Sequence, residues 1–595
     1  MRSSIPTVAV SLALTLVSSA VMGVGGADAA SSSLYSGPAP RPGPDILYAP
    51  PAPAPQLENA PGSVWKAPPI LISGATAYRD GEFLSQDWLY DDHGARETAD
   101  PSNPMVSTAA FSMPDGTYTY PSNPAYGHDA ADLVELRVRP LADATALRVT
   151  LNTLKDPSLV AFTVAIGGTP GVSLPLPDGA NVRAPAQLFL TVHPSGGQTM
   201  VGDLVQAAGG LPVNGPAPQV SVDLPRRQIQ VLIPHADWNP TGVVRLAAGV
   251  GLWDKAAGRY LLPGATATAT QPGGAGADPA PPAFFNVAFR SNAQEPVPTI
   301  ASIAGDLADT AWWRDQAQAH GLATGDISPF FANIDFGKLA SGVDDESGVP
   351  ASGPMDRILA SHFQTAQGAD SAGSCSSQAE GCPGEFQGQL QPYAIYVPPR
   401  PAPASGYGLT LLMHALDSNY NLFEGSRNQS EFGQRGSGSI VITPEARGPD
   451  GGYTSYAEAD VFEVWADVAA HYHLNPDLSD VTGYSTGAIG TSSSPSSSRI
   501  SSPAPEYLGT AATLLHLGYR YELDVFAPAE HNSFAVFDQY APAAAFLGNA
   551  TVERDPAHVT VAVNPTHDYP GARSGDRSRL LAVGAHPRRL RRLDG

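Results

Sequence analysis

The sequence predicts two folded domains in series, an all-β sandwich followed by a mixed α/β domain. The chain has 595 residues, which is more than one ordinary hydrophobic core accommodates. In the first half, apolar and polar residues alternate with the period of half-buried strands. In the second half, short buried strand patterns alternate with an amphipathic helix pattern, as in a layered α/β domain.

The composition is that of a folded, acidic protein. Hydrophobic residues make up 42% of the chain, near the globular average, and 15% of the residues are charged. The 33 basic and 56 acidic side chains give a formal net charge of −23. Because phosphate backbones attract positive charge and this chain is strongly negative, a nucleic-acid partner is disfavoured.

Residues 1–29 have the order of a secretory signal peptide. Arg2 precedes an apolar run over residues 8–17, and the small residues Ala27 and Ala29 offer a cleavage site after Ala29. A membrane anchor is the alternative, but the run is shorter than the ~20 residues of a spanning helix. We therefore expect a secreted, extracellular protein with no membrane contact after signal removal.

The chain contains two cysteines, Cys375 and Cys382, in a Ser- and Gly-rich stretch. An oxidising compartment favours joining them in a small disulfide clip. Two thiols without nearby histidines do not make the four-ligand set of a structural zinc site.

The predicted β-sandwich covers residues 63–265, after a Pro-rich linker at 30–62. Alternating strand patterns stand at 134–138, 147–151 and 229–231, and further apolar runs are separated by turn residues. The spacing favours an antiparallel sandwich. A second linker is predicted over residues 266–300.

The predicted α/β domain covers residues 301–550 and is followed by an Arg-rich C-terminal tail at 551–595. Short buried strands are predicted at 409–413 and 439–443, and a helix at 458–472. A further short strand at 480–482 runs directly into Gly483. The local order is therefore strand, helix, strand.

Gly483-Tyr484-Ser485-Thr486-Gly487 fits G-x-S-x-G, the nucleophile elbow of α/β-hydrolases. The two glycines of this motif permit a tight strand-to-helix turn that exposes a serine hydroxyl. The motif alone is weak in a Gly-rich chain, but here it follows a strand. Ser485 is therefore the candidate nucleophile, and a turn serine is the alternative.

His531 is the candidate general base. It stands in a loop after the strand pattern at 520–526, which agrees with the Ser, acid, His order of α/β-hydrolases. It would take the Ser485 proton and return it to the leaving group. A surface-loop histidine is the alternative interpretation.

The expected oxyanion donors are the Thr486 amide and an amide of the turn His414-Ala415-Leu416, which follows a buried strand. This machinery implies no metal and no organic cofactor. Asp91, Asp92 and Asp132 in the sandwich form an alternative set of calcium ligands.

Residues 325–550 resemble secreted actinobacterial α/β-hydrolases related to polyhydroxybutyrate depolymerases, feruloyl esterases and prolyl-oligopeptidase-type catalytic domains. The segments that carry this resemblance are ISPFFANIDFGKLASGVDD, QLQPYAIYVPP, LTLLMHALDSNYNLF, EADVFEVWADVAAHYHLNPD, VTGYSTGAIGT and ELDVFAPAEH. The resemblance implies an ester or peptide substrate, with Ser485 as nucleophile and His531 as base.

The sandwich is similar to the sugar-binding-like modules of glucodextranase-type enzymes, through DWLYDDHGA and AADLVELRVRPLADATALRVTLNTL. This second resemblance implies an accessory domain that binds carbohydrate or cell wall. The candidates for stacking on sugar faces are Trp65, Trp88, Tyr90 and Trp253, although at least half of them are expected to pack inside the sandwich instead.

The chain departs from the hydrolase pattern behind the elbow. Residues 491–499 are Ser-rich with a proline, whereas the family has a long apolar helix there. Ser485 and His531 are only 46 positions apart, so an α/β-hydrolase fold lacking at least one βα unit is expected. Glu506 is the candidate for the triad acid, and an ordinary carboxylate at a helix start is the alternative.

The sequence thus favours a secreted serine hydrolase that cleaves an ester or amide by acyl transfer. One alternative is a catalytically impaired relative that binds cell wall or polysaccharide through its sandwich. The other is a serine peptidase of the prolyl-oligopeptidase type, which shares the same residues.

Overall fold

The computed structural model is rich in β-sheet and contains several separate sheets. It describes residues 12–13, 45–96, 114–296, 313–370, 386–416, 418–449, 452–484, 486–488, 516, 524–525, 540–548 and 550–551. All statements below concern these residues.

The strands are β1 (Leu12–Ala13), β2 (Thr76–Arg79), β3 (Glu82–Gln86), β4 (Leu133–Pro140), β5 (Ala144–Leu151), β6 (Val160–Ile166), β7 (Leu174–Pro175), β8 (Arg183–Ala184), β9 (Leu188–Gly196), β10 (Thr199–Gln206), β11 (Gln219–Asp223), β12 (Gln228–Pro234), β13 (Val243–Asp254), β14 (Arg259–Tyr260), β15 (Phe284–Val287), β16 (Ala332–Asp335), β17 (Gly353–Ala360), β18 (Leu390–Val397), β19 (Tyr407–Met413), β20 (Ser439–Pro444), β21 (Leu474–Gly483) and β22 (Asp524–Val525). The α-helices are α1 (Gln316–Ala323), α2 (Phe336–Ser341), α3 (Arg427–Gly433), α4 (Tyr456–His471) and α5 (Ala541–Leu547). Short 3-10 helices lie at Asp45–Tyr48, Pro55–Leu57, Pro124–Tyr126, Pro157–Leu159 and Tyr420–Phe423. Among these described helices, none is long and apolar enough to cross a membrane.

The first half of the chain forms two antiparallel sheets that share one apolar core. One sheet has the order β11-β12-β5-β4-β3-β2, and the other has β10-β9-β6-β13-β14, with β15 and β16 also paired to β13. Leu147 and Ile229 from the first sheet and Phe162, Leu190 and Val250 from the second are buried in this core. The strand patterns at 134–138, 147–151 and 229–231 fall in β4, β5 and β12, as the sequence predicts.

The sandwich draws on chain that lies beyond residue 265. Strand β15, in the interval where the sequence predicts a linker, pairs with β13 and buries Phe284 and Phe285 completely. Strand β16, inside the interval assigned to the α/β domain, also pairs with β13. Neither pairing has a local sequence signal, because each joins strands that are far apart in the chain.

The α/β unit is built on a five-stranded sheet of order β17-β18-β20-β19-β21. Its first two strands run antiparallel to their neighbours, whereas β20, β19 and β21 are mutually parallel. Helix α4 covers one face through Val461, Val464 and Val468, the positions expected from its helical period. The strands predicted at 409–413 and 439–443 correspond to β19 and β20, and 480–482 lies in β21.

Buried ion pairs join the sandwich to the α/β sheet. The Trp88 indole N–H donates to Asp356 Oδ2 of β17 at 2.9 Å, and Arg314 Nε donates to the same oxygen at 3.0 Å. Arg314 also binds Glu424 at 2.6 Å, and the guanidinium groups of Arg290 and Arg314 both lie over the Trp88 ring. All five side chains are buried, so the two domains share one desolvated charge network.

An N-terminal strap, residues 45–57, lies against the α/β unit before the chain enters the sandwich. Its Ile46 and Leu47 are buried, and Ile46 packs on Ala459 of α4. The Pro50 carbonyl faces His362 Nε2 at 2.7 Å. Although the sequence predicts an extended Pro-rich spacer here, the strap contains two 3-10 helices and a packed face.

The strap contact is expected to weaken as pH rises. His362 Nδ1 faces Glu463 Oε1 at 2.8 Å while Nε2 faces the Pro50 carbonyl, and because both oxygens are acceptors only the imidazolium donates to both. The Glu463 carboxylate raises the pKa of His362 above its ordinary value. The stabilisation is therefore fully present below the unfolded pKa of about 6.5 and is lost as pH passes through the folded pKa. Hydrogen exchange of strap amides, corrected for intrinsic rates, should be faster at about pH 8.5 than at about pH 5.

The variant His362→Gln should remove this pH dependence. A matched control is His193→Gln in β9, because His193 also places one ring nitrogen near a carbonyl, of Pro194, and the other near a carboxylate, of Asp203. The control should leave strap exchange as in the wild type. Equal corrected exchange at both pH values in the wild type would refute the protonated bridge.

Asp129 is a buried carboxylate whose charge is poorly compensated. Neither of its oxygens has a hydrogen-bond partner among the described residues, and the side chain is buried. Burial, followed by the negative charge of Asp92, holds the pKa of Asp129 well above its usual range, against the opposing positive charge of Arg227. A carboxyl group with a raised folded pKa costs stability once pH exceeds the unfolded pKa of about 3.9.

The substitution Asp129→Asn should therefore stabilise the protein at neutral pH. We expect the free energy of unfolding to rise by about 1 kcal/mol at pH 7, since a buried charge is replaced by a neutral group of the same shape. The advantage should shrink as pH falls toward about 4 and should vanish well below the unfolded pKa of about 3.9, where the wild-type carboxyl is protonated in both states. The exposed Asp143→Asn is the control for urea unfolding at both pH values. If Asp129→Asn instead lowered the free energy of unfolding at pH 7, the Asp129 carboxyl group would be shown to stabilise the protein.

Candidate functional site

The candidate site lies at the carboxyl edge of the three parallel strands. Strand β19 ends at Met413, β20 at Pro444 and β21 at Gly483, and β19 lies between the other two. The segments that follow these strands meet at this edge, which is where α/β sheets bind ligands.

The G-x-S-x-G segment forms a tight turn directly after β21. The Tyr484 amide donates to the Met413 carbonyl at 3.2 Å, and the Gly487 amide donates back to the Tyr484 carbonyl at 2.9 Å. Residues 486–488 are helical, so strand gives way to helix within the motif. A strand before Ser485 and a helical segment after it are the elements that the sequence predicts on the two sides of the motif serine.

Both glycines of the turn are required by close backbone contacts. A Cβ on Gly483 would lie 2.5 Å from the carbonyl carbon of Gly487. A Cβ on Gly487 would lie 2.3 Å from the Met413 carbonyl oxygen and 2.6 Å from that of His414. Since backbone atoms cannot move aside as a flexible side chain does, a Cβ at position 483 would open the turn itself, and a Cβ at position 487 would push the turn away from the end of β19.

His414 ties the end of β19 to the end of β20. Its Nδ1 lies 2.8 Å from the Ala415 carbonyl and its Nε2 lies 3.1 Å from the Glu445 carbonyl. Burial lowers the pKa of His414, so the ring is held neutral and donates to only one of these two acceptors. The imidazole thus supports the turn structurally.

The other two members of the predicted oxyanion turn are placed beside the elbow. Ala415 is buried in an apolar cluster that also contains Tyr484 at its margin, and Leu416 is half-buried. The Ser418 hydroxyl donates to the Ala415 carbonyl at 2.6 Å. Thr486, the remaining predicted donor, is half-buried at the start of the helical segment. The structure therefore brings all four predicted oxyanion residues to one edge of the sheet.

The segment after β20 has an unusual backbone. Ala446, Arg447, Tyr453 and Ser455 have φ values of 56°, 68°, 55° and 56°, in the left-handed region that non-glycine residues rarely adopt. Such strain is costly, is kept where surrounding contacts hold it, and clusters at functional sites. The glycines in EARGPDGGYTS indicate a loop, but not which residues take this conformation.

Two carboxylates that sequence reasoning missed hold this loop in place. Glu445 Oε2 accepts the Tyr420 amide at 2.8 Å, and Asp460 Oδ2 accepts the Ala446 amide at 2.9 Å. Burial raises the pKa of Asp460 to about 7. Each carboxylate receives a backbone N–H that a loop alone leaves unsatisfied.

Ser485, His531 and Glu506 lie outside the described residues, as do Cys375 and Cys382. The nucleophile, base, acid and disulfide assignments therefore rest on the sequence.

The four aromatic candidates for stacking on sugars are all buried. Trp65, Trp88, Tyr90 and Trp253 are at most 4% exposed. Trp65 lines a surface groove of about 550 Å³, but Arg148 lies over its ring and Gln230 accepts its indole N–H. The expectation that at least half of these rings pack inside the protein is confirmed and extends to all four, so the alternative of stacking on sugars is wrong for them.

No group of three or more His, Cys, Asp and Glu side chains in the described part of the chain is arranged to hold a metal ion. The three aspartates considered as calcium ligands have protein partners. Asp91 accepts from Asn286 at 2.7 Å, Asp132 accepts from the Tyr90 amide at 2.8 Å, and Asp92 accepts from a tyrosine hydroxyl.

Neither the protein-family models nor the curated proteins contain a match to this chain.

The substitution Gly487→Ala should destabilise the elbow. The added methyl group would clash with two backbone carbonyls, and we expect the free energy of unfolding to fall by about 1–3 kcal/mol. Gly196→Ala is the control, because no atom lies within 4 Å of the Cβ it would add. Urea unfolding measures both variants. A Gly487→Ala protein as stable as the control would show that the turn does not press on β19.

Proposed function

We propose that this protein is a secreted serine hydrolase that cleaves an ester or amide bond by acyl transfer. The observation that carries the proposal is the close turn that follows β21, in which Gly483 lies against the Gly487 backbone and Gly487 lies against the carbonyl oxygens of Met413 and His414 at the end of β19. G-x-S-x-G matches that arise by chance have no reason to fall at a strand-to-helix turn of this kind.

The sheet topology supports the same proposal. Numbered within the sheet, the strands have the order 1-2-4-3-5, and the second strand runs antiparallel to both of its neighbours. The α/β-hydrolase fold begins with this order and polarity and places its elbow after the fifth strand. The fifth strand here is β21, which ends at Gly483.

In the proposed reaction the Ser485 hydroxyl attacks the substrate carbonyl while His531 takes its proton. The Thr486 amide and an amide of the His414-to-Leu416 turn stabilise the oxyanion. Collapse of the tetrahedral intermediate expels the alcohol or amine, which receives the proton from His531 and leaves an acyl-serine. Water then repeats the two steps and releases the acid. Glu506 is the proposed partner that orients His531.

The sandwich is proposed to act as a rigid accessory domain. Its charge network with β17 and Glu424 fixes the α/β sheet against it, so the two domains are held as one unit. Secretion is proposed from the signal-like residues 1–29.

An active-site-directed fluorophosphonate should label the native protein at Ser485. Phosphonylation requires an activated serine, so Ser485→Ala should lose all labelling, a reduction of several orders of magnitude. Ser430→Ala in α3 is the control and should be labelled as the wild type is. Peptide mass spectrometry of the labelled protein identifies the site. An unlabelled wild type, or a Ser485→Ala variant labelled equally well, would contradict the proposed function.

A further inference from the structure

The backbone carbonyl of His414 is the point at which three segments of the candidate site meet. It belongs to the turn after β19. The Tyr453 hydroxyl, from the strained segment after β20, donates to it at 3.1 Å. The elbow approaches it as well, since a Cβ on Gly487 would lie 2.6 Å from this oxygen. All three segments therefore constrain the orientation of the peptide group between His414 and Ala415.

That peptide group is also the first of the turn that supplies the proposed oxyanion donor. A trans peptide is planar, with its C=O and the following N–H pointing in opposite directions. A hydrogen bond that fixes the His414 carbonyl therefore fixes the direction of the Ala415 N–H. It also limits the course of the chain into Leu416.

Tyr453 is suited to hold this carbonyl rigidly. Its side chain is buried, and its ring packs against the His414 ring with centroids 5.6 Å apart. Its backbone has a φ of 55°, which places the side chain where an ordinary loop conformation would not. Burial, followed by the Glu445 carboxylate, holds the pKa of Tyr453 well above its usual range, so the hydroxyl stays a donor.

We infer that Tyr453 is a positioning residue for oxyanion stabilisation, acting through the His414 carbonyl on the amides of the turn that follows. This inference rests on the proposed function. Tyr453 itself does not need to touch the substrate. Its effect is on the alignment of a donor toward the oxygen on which negative charge develops, which matters more in the transition state than in substrate binding.

The test is Tyr453→Phe, which removes only the hydroxyl. The second-order rate of fluorophosphonate labelling, expressed per active site, should fall by at least about tenfold, since loss of an oxyanion donor outright costs about 10²–10³. The final labelling stoichiometry should stay at that of the wild type. A merely structural role would lower the fraction of protein that is labelled and leave the rate per active site unchanged.

Tyr407→Phe is the matched control. Tyr407 is also buried and its hydroxyl also donates to a backbone carbonyl, that of Arg400, but it stands at the opposite end of β19. Urea unfolding should give similar free energies of unfolding for the two variants. Only Tyr453→Phe should react slowly with the fluorophosphonate.

The outcomes separate the inference from the proposed function. A wild type that is not labelled refutes the proposed function and the inference with it. Equal rates for wild type and Tyr453→Phe overturn the positioning role and leave the hydrolase proposal intact. An equal loss of rate in both tyrosine variants also overturns it, because the effect would then not depend on the His414 carbonyl.

Discussion

The fold depends on two buried arginines that lie against Trp88. Arg290 binds Asp87 at 3.0 Å and Glu295 at 3.1 Å, and Arg314 binds Asp356 and Glu424. Removing a charge from water costs several kcal/mol, and that cost is offset only where partners surround it, so deleting one partner from such a pair typically costs about 3–5 kcal/mol. The carboxylates that pair with Arg290 lie in the sandwich part of the chain, whereas those that pair with Arg314 come from β17 and from the segment after β19. The charge of Arg314 is therefore paired only when the α/β unit is in place.

This constraint reaches the candidate site through Glu424, which follows the 3-10 helix Tyr420–Phe423. The same 3-10 helix is tied to the end of β20, because the Tyr420 amide donates to Glu445. A charge network centred on the sandwich therefore anchors the chain that leaves β19 on the way to α3. The strap adds a second link, since it packs on α4 before the chain enters the sandwich. Both links restrict the relative movement of the two domains.

At the site itself, steric and electrostatic requirements act together. Gly487 allows the elbow to approach the carbonyl oxygens of Met413 and His414, and the strained loop after β20 brings the Tyr453 hydroxyl to the His414 carbonyl. His414 is buried and neutral. A neutral, buried ring is suited to holding backbone groups in place and poorly suited to exchanging protons with a substrate. The contacts of Gly487, His414 and Tyr453 are therefore made by groups that do not change charge near neutral pH, whereas burial raises the pKa of Asp460, which holds the start of the loop, to about 7. Proton transfer to and from the substrate is left to other residues in the proposed mechanism.

The features that could be predicted from the sequence are those that local periodicity encodes. The patterns in β4, β5, β12, β19, β20 and α4 depend on which face of an element is apolar, and the spacing of Gly483 and Gly487 is that of a tight turn. The contacts that require Gly487 come from Met413 and His414, which are distant in the chain. Three features became visible only in the tertiary structure: β15 and β16 join the sandwich, the strap packs on α4, and the four candidate stacking rings are buried. The tertiary structure also decided the partners of Arg290, Arg314 and Tyr453. These outcomes come from pairing and desolvation between residues distant in the chain, and neither property has a short-range pattern.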